Sequence, residues 1–197
     1  MAILILVLIA QVPGGLEYGQ LSSTSVVINE FMAEPLSSFT EHDGEFVELY
    51  NTTGGWINLS GWMLENASGQ KIQLNTYLIP PESYCVLAAC GNQNLNGGFT
   101  ADYVYGSFDI ESTGRLVLYN GAHEQVDRVE YDAGWPVQPG ASCERINPGW
   151  ISSTPSSWDC ALSVFGSGDR GTPGLQNSVY QNSFTQNSWA FIKAFVE

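Results

Sequence analysis

The hydrophobic positions fall in short runs separated by turn residues, repeating at roughly ten-residue intervals, as strands do in an all-β sandwich. Residues 25–33 (SVVINEFMA) open the series, which Pro35 stops. A polar loop over 36–44 leads to 45–51 (EFVELYN), where Val47 and Leu49 share one face and Glu48 takes the other. Residues 56–59 and 61–65 (GWMLE) predict two short strands broken near Ser60, and 66–70 (NASGQ) predicts a hairpin turn into 71–74. Residues 84–89 (YCVLAA) are apolar on both faces, as in a strand inside a sheet, and 115–119 (RLVLY) read the same way. In 124–131 (EQVDRVEY) Val126 and Val129 stand three apart, which implies a bulge or an irregular segment. Residues 143–146 form the last short strand, and 150–174 read as coil. No stretch sustains a helical period, and no repeat of fixed period is present.

The two ends depart from this pattern. Residues 1–10 (MAILILVLIA) are an unbroken apolar run, too short to span a bilayer, which needs about 20 residues. With small and turn residues over 11–15, the run reads as a signal-peptide core, although no Lys or Arg precedes it. A buried first strand is the alternative. After Gly174 the chain turns polar, then apolar over 189–196. The expected organisation is a signal peptide and lead-in over 1–20, a sandwich domain over 21–177, and a linker with the start of a following domain over 178–197. A C-terminal strand docking back on the sandwich is the alternative there. No other segment suits a membrane span, so the expected location is extracellular or at the cell surface.

Composition sharpens this picture. Of 197 residues 44% are hydrophobic and 12% aromatic, enough for a real core. Only 13% are charged, and 20 acids against six bases leave a formal charge of −14. Binding to a phosphate backbone therefore has little support, and no nucleic-acid partner is expected. Cys85, Cys90, Cys143 and Cys160 make an even set, which behind an export signal suggests up to two disulfides. Of the three connectivities, Cys85–Cys90 with Cys143–Cys160 is favoured, and buried free thiols are the alternative. The spacing is not that of a zinc site.

Acids crowd one stretch: Glu30, Glu34, Glu41, Asp43, Glu45 and Glu48. Glu41, Asp43 and Glu45 alternate around Gly44, so a loop could aim three hard oxygens at calcium, the one candidate cofactor. Asp109 and Glu111 are a second candidate, and a solvated acidic face is the alternative reading. No catalytic residues are assigned. No carboxylate pair is fixed at glycosidase spacing, and His42 and His123, both in turn-like contexts, accompany no G-x-S-x-G elbow. Residues 166–174 (GSGDRGTPG) are glycine-rich but lack the strand-to-helix context of a phosphate loop, and Asp169 with Arg170 reads as a local ion pair.

The order of several pieces carries a resemblance. VVINEFMAEP at 26–35, DGEFVELYNTT at 43–53, NLSGWMLEN at 58–66 and LIPPESYCVLA at 78–88 come first. STGRLVLYN at 112–120, VDRVEY at 126–131, WP at 135–136, ERI at 144–146 and GTPGLQN at 171–177 complete the set. Together they resemble the lamin tail domain in its bacterial secreted form. That resemblance implies an immunoglobulin-like β-sandwich of about eight or nine strands, an interaction module with no catalytic residues of its own. It further implies a non-catalytic binding or structural module in an exported, multidomain protein that meets a protein or cell-surface partner. An accessory domain of a secreted hydrolase such as a nuclease, or a calcium-binding adhesion module, is the alternative. The acidic chain, lacking a coiled-coil rod, departs from the animal lamins and argues against filaments. Within the matched motifs, Trp62 suits a core aromatic, Gly61 a tight strand entry, and Asn51 a turn closed by its own side chain.

Overall fold

Alternation in the strands, broken by register shifts in the first strand and over 125–127, decides which residues meet. A computed structural model describes residues 24–181. Strand β1 (Val26–Met32) leads through the short helix α1 (Glu41–Gly44) into β2 (Phe46–Asn51). Then come β3 (Ile57–Asn58), β4 (Met63–Asn66), β5 (Lys71–Gln73), β6 (Leu78–Ile79) and β7 (Tyr84–Ala88). β8 (Tyr103–Val104), β9 (Gly114–Tyr119), β10 (Gln125–Tyr131), β11 (Cys143–Arg145) and β12 (Trp158–Cys160) complete the series. A six-stranded sheet runs β12-β11-β1-β2-β7-β8, a four-stranded sheet runs β10-β9-β4-β5, and β3 pairs with β6. Three of the twelve strands have only two residues, which leaves nine longer ones. The expected signal peptide, residues 1–20, and most of the expected linker lie outside the described residues.

The sheets pack face to face over a core supplied from both. Ile28, Phe31, Val47, Leu49 and Leu87 meet Leu64, Leu116, Leu118 and Val129, all fully buried. Trp62, Trp135 and Trp158 close the rim, each at most 8% exposed. Gly61 turns into β4 at φ +80°, a conformation that a side chain would strain. The bulge expected around Val126 is present, since pairing with β9 shifts between Gln125 and Asp127. The turned-in Asp127 joins the two sheets. Its carboxylate accepts from the Ile28 N–H at 2.8 Å, Arg145 Nη1 at 2.9 Å and Ser152 Oγ at 2.5 Å. Asn51 closes the β2 turn as anticipated, accepting from the Thr53 N–H at 2.9 Å and donating to Gly55 O at 2.7 Å.

Two readings of the loops are corrected. The stretch 36–44 is not wholly loop, because Thr40 and Asp43 form a reciprocal capping box that winds α1. The coil over 150–174 contains β12, which pairs beside β11, so 143–146 is not the last strand. Three residues are too few for a periodic signal, and the register with β11 makes them a strand.

Candidate functional site

The outer face of the six-stranded sheet changes character along its length. On β2 the outward residues are Phe46, Glu48 and Tyr50, opposite Ala88, Val86 and Tyr84 of β7. Phe46 packs with Met32, Ala88 and Phe99 in a small second apolar cluster. Next to it runs a belt of carboxylates, with Glu144, Glu30 and Glu48 directly opposite one another on β11, β1 and β2. The tyrosines lie beyond the belt.

The sequence assigns Glu48 to the polar face, yet all three belt carboxylates have no exposed surface. A strap formed by residues 171–179 lies over them. Glu30 accepts from the Thr172 N–H at 2.9 Å and Ser142 Oγ at 2.6 Å. Glu48 accepts from the Gly174 N–H at 2.6 Å and Asn29 Nδ2 at 2.8 Å. Glu144 accepts from Ser178 Oγ at 2.7 Å and the Val179 N–H at 3.1 Å. The strap approaches closely because residue 171 is glycine, where a Cβ would sit 2.8 Å from Glu30 Oε1. Contacts continue to Gln181, whose N–H reaches Ile146 O at 2.9 Å.

Every donor to the belt is neutral. Burial, reinforced by Glu144, pushes the Glu30 carboxyl up to about 7. Burial and the Glu30 charge likewise hold Glu48 well above the usual carboxylate range. The geometry agrees. Thr172 Oγ1 lies 3.1 Å from Glu30 Oε2 and 2.9 Å from Glu144 Oε1, but its one proton serves one acceptor. The other contact is a hydrogen bond when that carboxyl carries a proton.

The belt opens at its tyrosine end into a cleft of about 280 Å3 lined by Asn29, Tyr50, Tyr84, Tyr180, Glu82 and Asn177 among others. A shallower depression of about 470 Å3 adjoins it across Tyr50, Pro148 and Tyr180. Tyr50 and Tyr84 are cross-strand neighbours with ring centroids 4.8 Å apart. Asn29 is only 1% exposed, and its amide donates to Glu48 and Asn177. Those contacts fix its orientation and leave its buried Oδ1 without a partner. An unmatched buried acceptor is uncommon and marks a position where a donor would be favourable.

The calcium triad Glu41, Asp43 and Glu45 does not assemble. Asp43 turns back to cap α1, with its Oδ2 2.6 Å from Thr40 Oγ1. Glu41 is exposed on the helix. Glu45 turns the other way and meets His42 and Asp109, whose ligand atoms with its own all lie within 4.8 Å of one another. Glu45 Oε2 is 3.4 Å and Asp109 Oδ1 3.5 Å from His42 Nδ1. Burial, with Asp109 and Glu41 adding to it against the Ile110 N–H, pushes the Glu45 carboxyl up to about 8. A three-residue spacing at one turn places His42 beside Glu45, but Asp109 arrives only through the fold. Glu111, the other second-site candidate, instead accepts from Ser68 Oγ at 3.0 Å.

All four cysteines are free. Cys85 is buried in the core and Cys90 lies past the end of β7, so the Cys85–Cys90 bridge is not formed. Cys143 and Cys160 stand opposite one another on β11 and β12. Hydrogen bonds from Ala161 N to Ser142 O and from Ile146 N to Ser157 O place this pair at a non-hydrogen-bonded site. Facing Cα atoms at such sites are about 4.5 Å apart, within the span of a disulfide. The expected Asp169–Arg170 ion pair is replaced by two separate contacts. Asp169 accepts from the Leu36 N–H at 3.1 Å and the Ser37 N–H at 3.0 Å, and Arg170 Nη2 lies 3.8 Å from Cys160 Sγ.

Among the described residues no helix is long and apolar enough to cross a membrane. No curated protein matches the chain. The family model of the Lamin Tail Domain matches residues 20–133, more than half of the chain.

Proposed function

This chain belongs to the lamin tail domain family, and on that premise we propose that it is a non-catalytic binding and structural module of an exported, multidomain protein. The family is an immunoglobulin-like, non-enzymatic one, and its association with protein binding supports a polypeptide partner. The contact surface we assign is the tyrosine cleft. The observation that carries this assignment is the unpartnered, buried Asn29 Oδ1 at its wall. A partner's backbone N–H would satisfy that acceptor, and the faces of Tyr50, Tyr84 and Tyr180 would pack against its side chains. Glu82 and the overall charge of −14 favour a neutral or basic segment over an acidic one.

Selection of displayed peptides on the full chain tests the surface. Tyr180 is 39% exposed, so Tyr180→Ala should leave folding intact. Enriched peptides should bind the variant roughly tenfold or more weakly, as for an aromatic anchor. Undiminished binding to Tyr180→Ala and Tyr84→Ala would remove the cleft from the proposal.

Export is supported by the apolar run over 1–10 and by the facing Cys143 and Cys160. We propose that these two thiols form a disulfide outside the cell. A small-molecule disulfide takes their two electrons and two protons and leaves as two free thiols. Fusing residues 1–20 to a phosphatase active only after export tests the leader, with no activity refuting it. Alkylation of the secreted chain under denaturing conditions should label Cys85 and Cys90 but spare Cys143 and Cys160 until reduction.

A further inference from the structure

The geometry of His42, Glu45 and Asp109 points to a surface site for a divalent transition metal of the Zn2+ class, apart from the tyrosine cleft. The ligand set mixes one imidazole with two carboxylates, which suits zinc better than calcium. Zinc bonds of about 2.0–2.1 Å in tetrahedral geometry place neighbouring ligand atoms about 3.4 Å apart. His42 Nδ1 stands 3.4 Å from Glu45 Oε2 and 3.5 Å from Asp109 Oδ1. These separations match the edges of a metal polyhedron. They are poor for hydrogen bonds, and His42 Nδ1 is shielded from solvent with no hydrogen-bond partner.

Each ligand residue is also held by a further contact, which for Glu45 falls on the oxygen that faces His42. His42 Nε2 lies 3.1 Å from Gly106 O, which fixes the Nε2–H tautomer and turns the Nδ1 lone pair inward. Gln70 Nε2 donates to Asp109 Oδ2 at 2.9 Å and leaves Oδ1 facing His42. The Ile110 N–H donates to Glu45 Oε2 at 3.0 Å, and the Glu45 side chain is only 6% exposed. Outer contacts of this kind orient the ligands of metal sites. The His42 and Asp109 side chains are 40% and 60% exposed, so a fourth position opens to solvent. Without a metal, the alternative reading is a contact of the ring with the two carboxyl groups and nothing more.

The test is titration of the full chain, free of affinity tags, with Zn2+ and with Co2+. The wild type should take up one equivalent, and its melting midpoint should rise with Zn2+ but not with Ca2+. Cobalt bound at nitrogen and oxygen should show ligand-field absorbance without the thiolate charge-transfer band that the cysteines would give. His42→Ala and Asp109→Asn should each weaken uptake roughly tenfold or more, while His123→Ala should not. Asp109→Asn keeps a side chain able to meet Gln70, which guards against a folding artefact. Failure to bind Zn2+, equal binding by His42→Ala, or a thiolate spectrum would overturn the site.

Discussion

Asp127→Ala should remove a large share of the stability of this domain. Asp127 is 6% exposed and takes three hydrogen bonds from groups of other segments, the Ile28 N–H, Arg145 Nη1 and Ser152 Oγ. Arg145 has no exposed surface, and with Asp127 gone its charge keeps only the Ile28 and Trp150 carbonyls and the face of Trp158. Removing one partner of a buried ion pair costs about 3–5 kcal/mol, and an orphaned buried N–H at Ile28 adds about 1–3 kcal/mol. The two overlap, so the expected loss is roughly 4 kcal/mol, against a usual domain stability of about 5–15 kcal/mol. Urea unfolding followed by tryptophan fluorescence at pH 7 measures it. Adding Arg145→Met to Asp127→Ala should recover part of the loss, because the uncompensated charge leaves with its side chain. Added salt should not mimic the single variant, since a buried pair is little screened. A loss below about 1 kcal/mol, or a double variant that costs the sum of the two singles, would refute the view that this pair bolts the sheets together.

The remaining predictions concern the outer face and the core. Glu30 and Glu48 have folded-state values raised by burial, so the folded chain binds more protons than the unfolded one above the ordinary carboxylate value. The stabilisation should be fully present below about pH 4.5 and fall as pH rises toward about 7, at up to roughly 1.4 kcal/mol per pH unit for each group. Urea midpoints at pH 5 and pH 7.5 check the sign, and Glu48→Gln should flatten the slope. Gly171→Ala places a methyl 2.8 Å from Glu30 Oε1 and 3.0 Å from Ser142 Oγ, and should lift the strap at a cost of about 1–3 kcal/mol. Limited proteolysis should then cut near residues 171–179, and a variant as resistant as wild type would count against the strap. Leu64→Ala, at a fully buried site between the sheets, should cost about 2–5 kcal/mol by the same urea assay.

The sequence by itself determined the parts of this protein that depend on near neighbours. Period-two alternation located β2, continuous apolar runs located β7 and β9, a three-residue gap between valines announced the β10 bulge, and Asn51 carried its own turn. These features are local because strand faces and Asx turns are set within a few residues. Glu48 shows where local reading stops. Alternation correctly puts it opposite Val47 and Leu49, and nothing nearby says that face is covered. The cover arrives with Gly174, 126 residues further on. Likewise, Glu41, Asp43 and Glu45 look like ligands because they are close in sequence, but the capping box turns Asp43 away. Asp109 enters His42's neighbourhood only when loops from the two sheets converge. Sequence distance governs what a turn or strand can do. Charge burial and ligand geometry depend on distance in space, and only the packed sheets set that.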